Sequence, residues 1–133
     1  MPRHINPPAL PRPSSRYSQL VAIAGSYKRV LVSPQFGLDR SGALGEGVPE
    51  QMALAFDNFL AAIQAAGCEP RDVVRVVCYC TERDRSATYD ALREARLGVT
   101  APASGYFEIA GLALSGALVA IEGEAVQENA PQR

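Results

Sequence analysis

Glu122 is a carboxylate set among apolar neighbours. It lies in the run 117–125, where strand alternation places Leu118, Ala120, Glu122 and Glu124 on one face. Such a group reads two ways. It is a solvated or interface charge, or it holds a water molecule in a cleft and passes a proton. Cys78 and Cys80 stand two apart on one side of a β-rich run and fit small buried hydrophobes. With Cys68 they make 3 cysteines, an odd number without framework spacing, which fits free thiols in a reducing compartment. His4 is the 1 histidine of the chain, near its beginning, and no set of about four zinc ligands can be assembled around it from local spacing. Ser104 has no histidine beside it, which argues against an activated serine nucleophile. The sequence has neither the P-loop nor the dinucleotide glycine pattern.

These residues need elements to hold them. The 133 residues suit one domain. Residues 1–16 carry Pro2, Pro7, Pro8, Pro11 and Pro13, so an extended N-terminal segment is expected there. The folded domain is expected over 17–126 and a frayed polar tail over 127–133. The run 20–24, closed by Gly25-Ser26, and the run 29–35 suggest a hairpin. Pro49 and Glu50 suit a helix start, Met52, Phe56, Phe59, Leu60 and Ile63 recur at helical spacing, and Gly67 ends the pattern. A strand follows over 73–80. Thr81-Glu82-Arg83-Asp84 resembles a capping box, which predicts a second helix from Thr81 to about Leu97. Two last strands are expected over 106–110 and 117–125. The order β-β-α-β-α-β-β predicts an α+β layer with both helices on one face of a single sheet. The other face keeps apolar residues, so an oligomer is expected.

Four segments in register resemble the RidA family, also called YjgF or L-PSP. Tyr17-Ser18-Gln19 is similar to its Gly-Pro-Tyr-Ser-Gln segment, and Leu31-Val32-Ser33-Pro34-Gln35 to its Val-Ser-Gly-Gln strand. The stretch from Gln51 through Asn58-Phe59-Leu60 and Ala65-Ala66-Gly67-Cys68 to Asp72-Val73-Val74-Arg75-Val76 resembles the family's helix, elbow and following strand. Gly116-Ala117-Leu118-Val119-Ala120-Ile121-Glu122 resembles its closing strand. The resemblance implies a chorismate-mutase-like homotrimer with a small-molecule cleft at each subunit interface. It also implies hydrolysis of imines or enamines to a keto acid and ammonia, without metal or organic cofactor. In that chemistry an arginine clamps the substrate carboxylate, a glutamate handles water and protons, and a tyrosine closes the cleft.

Tyr17 and Glu122 match the family's tyrosine and glutamate. The family's Pro-Ala-Arg-Ser is Pro102-Ala103-Ser104-Gly105 here, so the arginine position is Ser104. Asp90 stands where asparagine is common, and Pro34 replaces a glycine. Glu122 is therefore the expected catalytic residue, with Tyr17 and Ser104 lining the cleft and Arg16 a candidate replacement cation. The expectation is a divergent imine or enamine deaminase, or related hydrolase, weak or inactive on 2-iminopropanoate. A non-catalytic ligand-binding or chaperone-like trimer is the alternative. Endoribonuclease-type activity ranks third, because a net charge of -1 does not favour phosphate contacts. No apolar run approaches the roughly 20 residues of a membrane span. No signal-peptide core is visible, so a cytoplasmic protein is expected.

Overall fold

A computed structural model describes residues 1–129. Residues 130–133, the end of the polar tail, lie outside the described residues. The first two strands, β1 (Arg3–Ile5) and β2 (Leu20–Ala22), form a small antiparallel pair. Strand β3 (Tyr27–Phe36) leads to helix α1 (Gly47–Ala65), strand β4 (Val73–Cys80), helix α2 (Ser86–Leu97), strand β5 (Ala103–Glu108) and strand β6 (Val119–Glu128). The main sheet has the order β3-β6-β4-β5. β4 and β5 are parallel, joined through α2, and the other pairs are antiparallel. The expected α+β layer is the observed one.

The predicted hairpin between the runs at 20–24 and 29–35 does not form. Ser18 explains the difference. Its N–H donates to the carbonyl of Pro102 at 3.0 Å, and Ser18 bridges Ala103 at the start of β5. That anchor holds the segment at the edge of the sheet opposite β3, so β2 takes β1 as its partner. The Asn6 side chain adds to the pairing by accepting from the N–H of Gln19 at 2.8 Å.

The second helix also begins later than its capping-box pattern suggests. The Thr81 N–H donates to the carbonyl of Leu118 at 2.9 Å and its hydroxyl to the same oxygen at 3.3 Å, so the side chain caps no helix. Asp84 then takes a left-handed φ of 63° and breaks the helical path before Ser86. The closing strand runs beyond its expected end, to Glu128, because β3 begins at Tyr27 and pairs with it there.

The core lies between the sheet and the helices. Val48, Met52, Ala55, Phe56, Phe59 and Ile63 of α1 are buried against Val76, Cys78 and Cys80 of β4 and Val119, Ile121 and Ala125 of β6. Gly123 permits this approach: a Cβ there would stand 2.2 Å from the Arg75 carbonyl and 3.0 Å from the Phe59 ring. All three cysteines are free and buried, and burial pushes the Cys78 thiol well above its ordinary pKa. On the open face of the sheet, Leu31 and Phe107 are 64% and 53% exposed. Among the described residues no helix is long and apolar enough to cross a membrane.

Candidate functional site

The parallel pairing of β4 with β5 sets Arg75 opposite Ala103, Val76 opposite Ser104 and Val77 opposite Gly105. The Ser18 anchor lays Tyr17 and Gln19 across this edge. Together they bound a groove of about 330 Å³, lined among others by Tyr17, Gln19, Arg75, Val77, Ser104 and Phe107. Tyr17 and Ser104, paired by sequence reasoning, therefore do meet.

Behind Ser104 lies a polar cluster that α2 inserts into the core. Tyr89 is buried, and its hydroxyl is 2.5 Å from Ser104 Oγ. Arg93 is 2% exposed. Its Nη1 donates to Asp90 Oδ1 at 3.1 Å and to Ser104 Oγ at 3.2 Å, and its Nη2 donates to Ser15 Oγ at 3.0 Å. The guanidinium carbon sits 5.7 Å from the centre of the Tyr17 ring and 5.2 Å from that of Tyr89, within cation–π range. Burial pushes the Tyr89 hydroxyl up to about 12, although Ser104 and Arg93 both favour its ionised form.

Glu122 occupies a different place on the open face. It borders an apolar depression of about 410 Å³ with Pro34, Phe36, Ile109, Leu112 and Ala120. The Tyr79 hydroxyl donates to Glu122 Oε1. That hydrogen bond is the largest cause of the raised Tyr79 pKa, and burial adds to it. The Tyr79 ring stacks on Phe107 with centroids 6.0 Å apart. Phe107 lines the groove and Tyr79 the depression, so this pair of rings is the wall between them. Within one protomer Glu122 does not join Tyr17 and Ser104 in a single cavity.

Arg16 lines neither. It borders a cavity of about 700 Å³ enclosed by the proline-rich segment, together with Arg12, Pro13 and Gln19. Tyr17 is shared between this cavity and the groove. Among the described residues no cluster of three or more His, Cys, Asp or Glu side chains could hold a metal ion.

Two residues at this site were not singled out from the sequence. Arg75 is the single charged side chain of the otherwise apolar run 73–80, and alternation alone puts it on the face of Val77 and Tyr79. That signal was available. Arg93 gives no comparable signal. It stands in a charged stretch, Arg93-Glu94-Ala95-Arg96, that reads as a solvated helix face.

A profile of the endoribonuclease L-PSP family matches residues 8–127. The chain belongs to this family. Solved structures agree with that membership. A protein of the conserved Rid family from Yersinia pestis superposes with a TM-score of 0.83 at 25% identity, over 95% of this chain and 98% of the other. RidA from the Antarctic bacterium Psychrobacter sp. PAMC 21119 gives a TM-score of 0.70 at 29% identity, over 92% and 98%. A RutC family protein of Aquifex aeolicus strain VF5 is 35% identical over 81 residues, 60% of this chain and 62% of that relative. The match thus spans less than two thirds of that relative's length. The two helices packed on a four-stranded sheet are the RidA-like fold of this L-PSP family.

Proposed function

We propose that this L-PSP-family chain is a cofactor-free small-molecule protein of the imine- and enamine-hydrolysing kind, with an altered groove and weak or no activity on 2-iminopropanoate. The observation that carries this reading is the make-up of the groove: Tyr17 and Ser104 line it, and its guanidinium, Arg75, comes from β4 rather than from the strand of Ser104. The Arg93 guanidinium lies close by, and its Nη groups donate to Asp90, Ser104 and Ser15. The two-pronged grip on a carboxylate that the resemblance implies at position 104 is therefore missing.

The chemistry needs little else. Water adds to the electrophilic imine carbon, and a carboxylate takes the water proton as the C–O bond forms. The carboxyl group returns that proton to nitrogen, giving a carbinolamine; it then takes the hydroxyl proton as the carbonyl forms and passes it to the departing nitrogen, which leaves as ammonia. Glu122 is the residue proposed for this transfer, with the Tyr79 hydroxyl orienting its carboxylate. In the trimer implied by the resemblance, a neighbouring protomer would bring its own Glu122 to the groove. The apolar open face, with Leu31 and Phe107 exposed, supports association of sheets in that manner. Arg16, from its separate cavity, could supply positive charge only by turning toward Tyr17.

Losing one partner of a desolvated charge pair costs about 2–5 kcal/mol. A 2-imino acid should then react roughly 30-fold to several-thousand-fold more slowly than with an arginine-bearing relative, at about 1.4 kcal/mol per factor of ten. The test is keto-acid and ammonia release from freshly generated 2-aminoacrylate, with an arginine-bearing relative as reference. Equal rates would refute the reading. A non-catalytic binding trimer is the second reading, favoured by the barrier of Tyr79 and Phe107 between Glu122 and the groove. Substituting Glu122→Gln separates the two: turnover collapses under the first, and ligand affinity stays unchanged under the second.

A further inference from the structure

We propose that Arg93 and position 104 form one specificity-determining pair, in which a buried guanidinium on α2 occupies the space beside Ser104 and excludes a second guanidinium from that position. This deepens the groove reading above and rests on it. Arg93 is 2% exposed, and among the described residues the one carboxylate within ion-pair distance is Asp90, whose side chain is 38% exposed. Its Nε is buried without a hydrogen-bond partner among the described residues. The charge is thus fixed against Ser104 Oγ at 3.2 Å, between two tyrosine rings, and lines no part of the groove itself.

The contacts of Ser104 tie this position to α2. Arg93 can only donate to Ser104 Oγ. The Tyr89 hydroxyl is 2.5 Å from the same oxygen, and either hydroxyl can donate to the other. The serine oxygen is thus held between the Arg93 guanidinium and the Tyr89 hydroxyl, on the face of the sheet that it shares with buried Val76. Arg75 remains the cation that lines the groove, and Ser104 is a neutral hydroxyl at the position where the resemblance implies a guanidinium. A hydroxyl gives a carboxylate one hydrogen bond where a guanidinium gives two. A second guanidinium at 104 would start from a Cβ directed at Arg93, and like charges a few ångströms apart in a water-poor site repel. A cation fits at one of the two positions and not at both.

The experiment is a double-mutant cycle on the full chain with Ser104→Arg, Arg93→Leu and both together, and with Arg93→Met in place of Leu should that variant fold poorly. Two readouts are taken: the thermal midpoint, and the affinities for pyruvate and its uncharged analogue pyruvamide, read from amide shifts of the groove residues. Ser104→Arg alone should lower the midpoint and leave pyruvate affinity unchanged. The double variant should regain most of the midpoint and bind pyruvate roughly tenfold tighter than wild type, the fold-change of one restored charge contact of about 1.4 kcal/mol. Additive midpoints, or equal pyruvate affinity in Ser104→Arg with and without Arg93, would overturn the pairing. Coupled midpoints with neither probe bound by any variant would uphold the pairing and discard the groove as the ligand site.

Discussion

The two helices lie on the same face of one sheet and do different work. α1 covers β3 and β6 with a stripe from Val48 to Ile63 that is apolar except for Gln51, whose buried side chain bonds main-chain groups of Gly45, Gly116 and Leu118. α2 covers the β4 and β5 side with Tyr89, Arg93 and Leu97 as its buried residues, so a full charge sits where α1 places phenylalanine. A core built of dispersion and burial needs only matching shape. A core containing a guanidinium needs partners for its N–H groups, and so fixes the positions of Ser15 and Ser104 around it, with Tyr17 stacked alongside. The apolar half of the layer holds the fold together, and the polar half holds the groove in shape.

That contrast can be broken from either side. The largest effect is expected on the α1 side. Phe59→Ala should cost about 3–5 kcal/mol of unfolding free energy in urea titrations. Gly123→Ala should act in the same direction, since its added carbon meets the Arg75 carbonyl and the Phe59 ring. Neither loss would be matched by a change at α2 such as Leu92→Ala on its half-buried flank. If Phe59→Ala left stability within 1 kcal/mol, roughly the ordinary effect of a point substitution, the apolar stripe would not be what carries the fold.

On the catalytic side, Glu122→Gln should lower imine turnover about 100-fold or more, the ordinary range for removing a general base. Its stability should stay near wild type, because the Tyr79 hydroxyl can still donate to the amide oxygen. Coupled colorimetric assays and a melting curve on the same sample check both halves.

Next in size is a pH effect confined to the α2 side. Tyr89 is raised from 10.0 to about 12 in the folded chain, so the folded state holds its proton after the unfolded state has lost it. Its contribution is complete below pH 10 and is lost as pH rises through about 12, on the order of 2–3 kcal/mol in total. Urea unfolding at successive pH values over this window should show the decline, and Tyr89→Phe should flatten that part of it.

The smallest effect is expected where the helices touch through charge. Arg96 Nε on α2 donates to Asp57 Oδ1 on α1 at 2.9 Å, with side chains 30% and 55% exposed. Asp57→Asn should change the unfolding free energy by less than about 1 kcal/mol, and less still in 1 M salt. A larger loss would mean that the helices lean on each other through this contact rather than through the sheet.

The same contrast explains what the sequence made legible. The stripe of α1 and the valine-rich β4 are periodic signals carried by burial, and both appear where expected. The pairing of β2 was not legible, because a three-residue strand has too little pattern to choose a partner, and the choice was made by one anchor at Ser18. The start of α2 was misread because Thr81 uses its hydroxyl on Leu118, a contact 37 residues away. At the site, Tyr17 and Ser104 were found together, as the resemblance implied. Glu122 proved to lie behind the Tyr79–Phe107 wall, since neither ring's stacking is visible in strand alternation. Arg93 was hidden because a charged residue on a helix reads as solvent-facing unless its partners, here Ser15 and Ser104, are known.

The three sulfhydryl side chains have a practical use. Cys68, Cys78 and Cys80 are shielded by the packed layer, none more than 2% exposed. A reagent such as a maleimide can reach them only during excursions in which helices and sheet part company. Their alkylation rate would therefore serve as a built-in clock for such openings, with no label engineered into the chain.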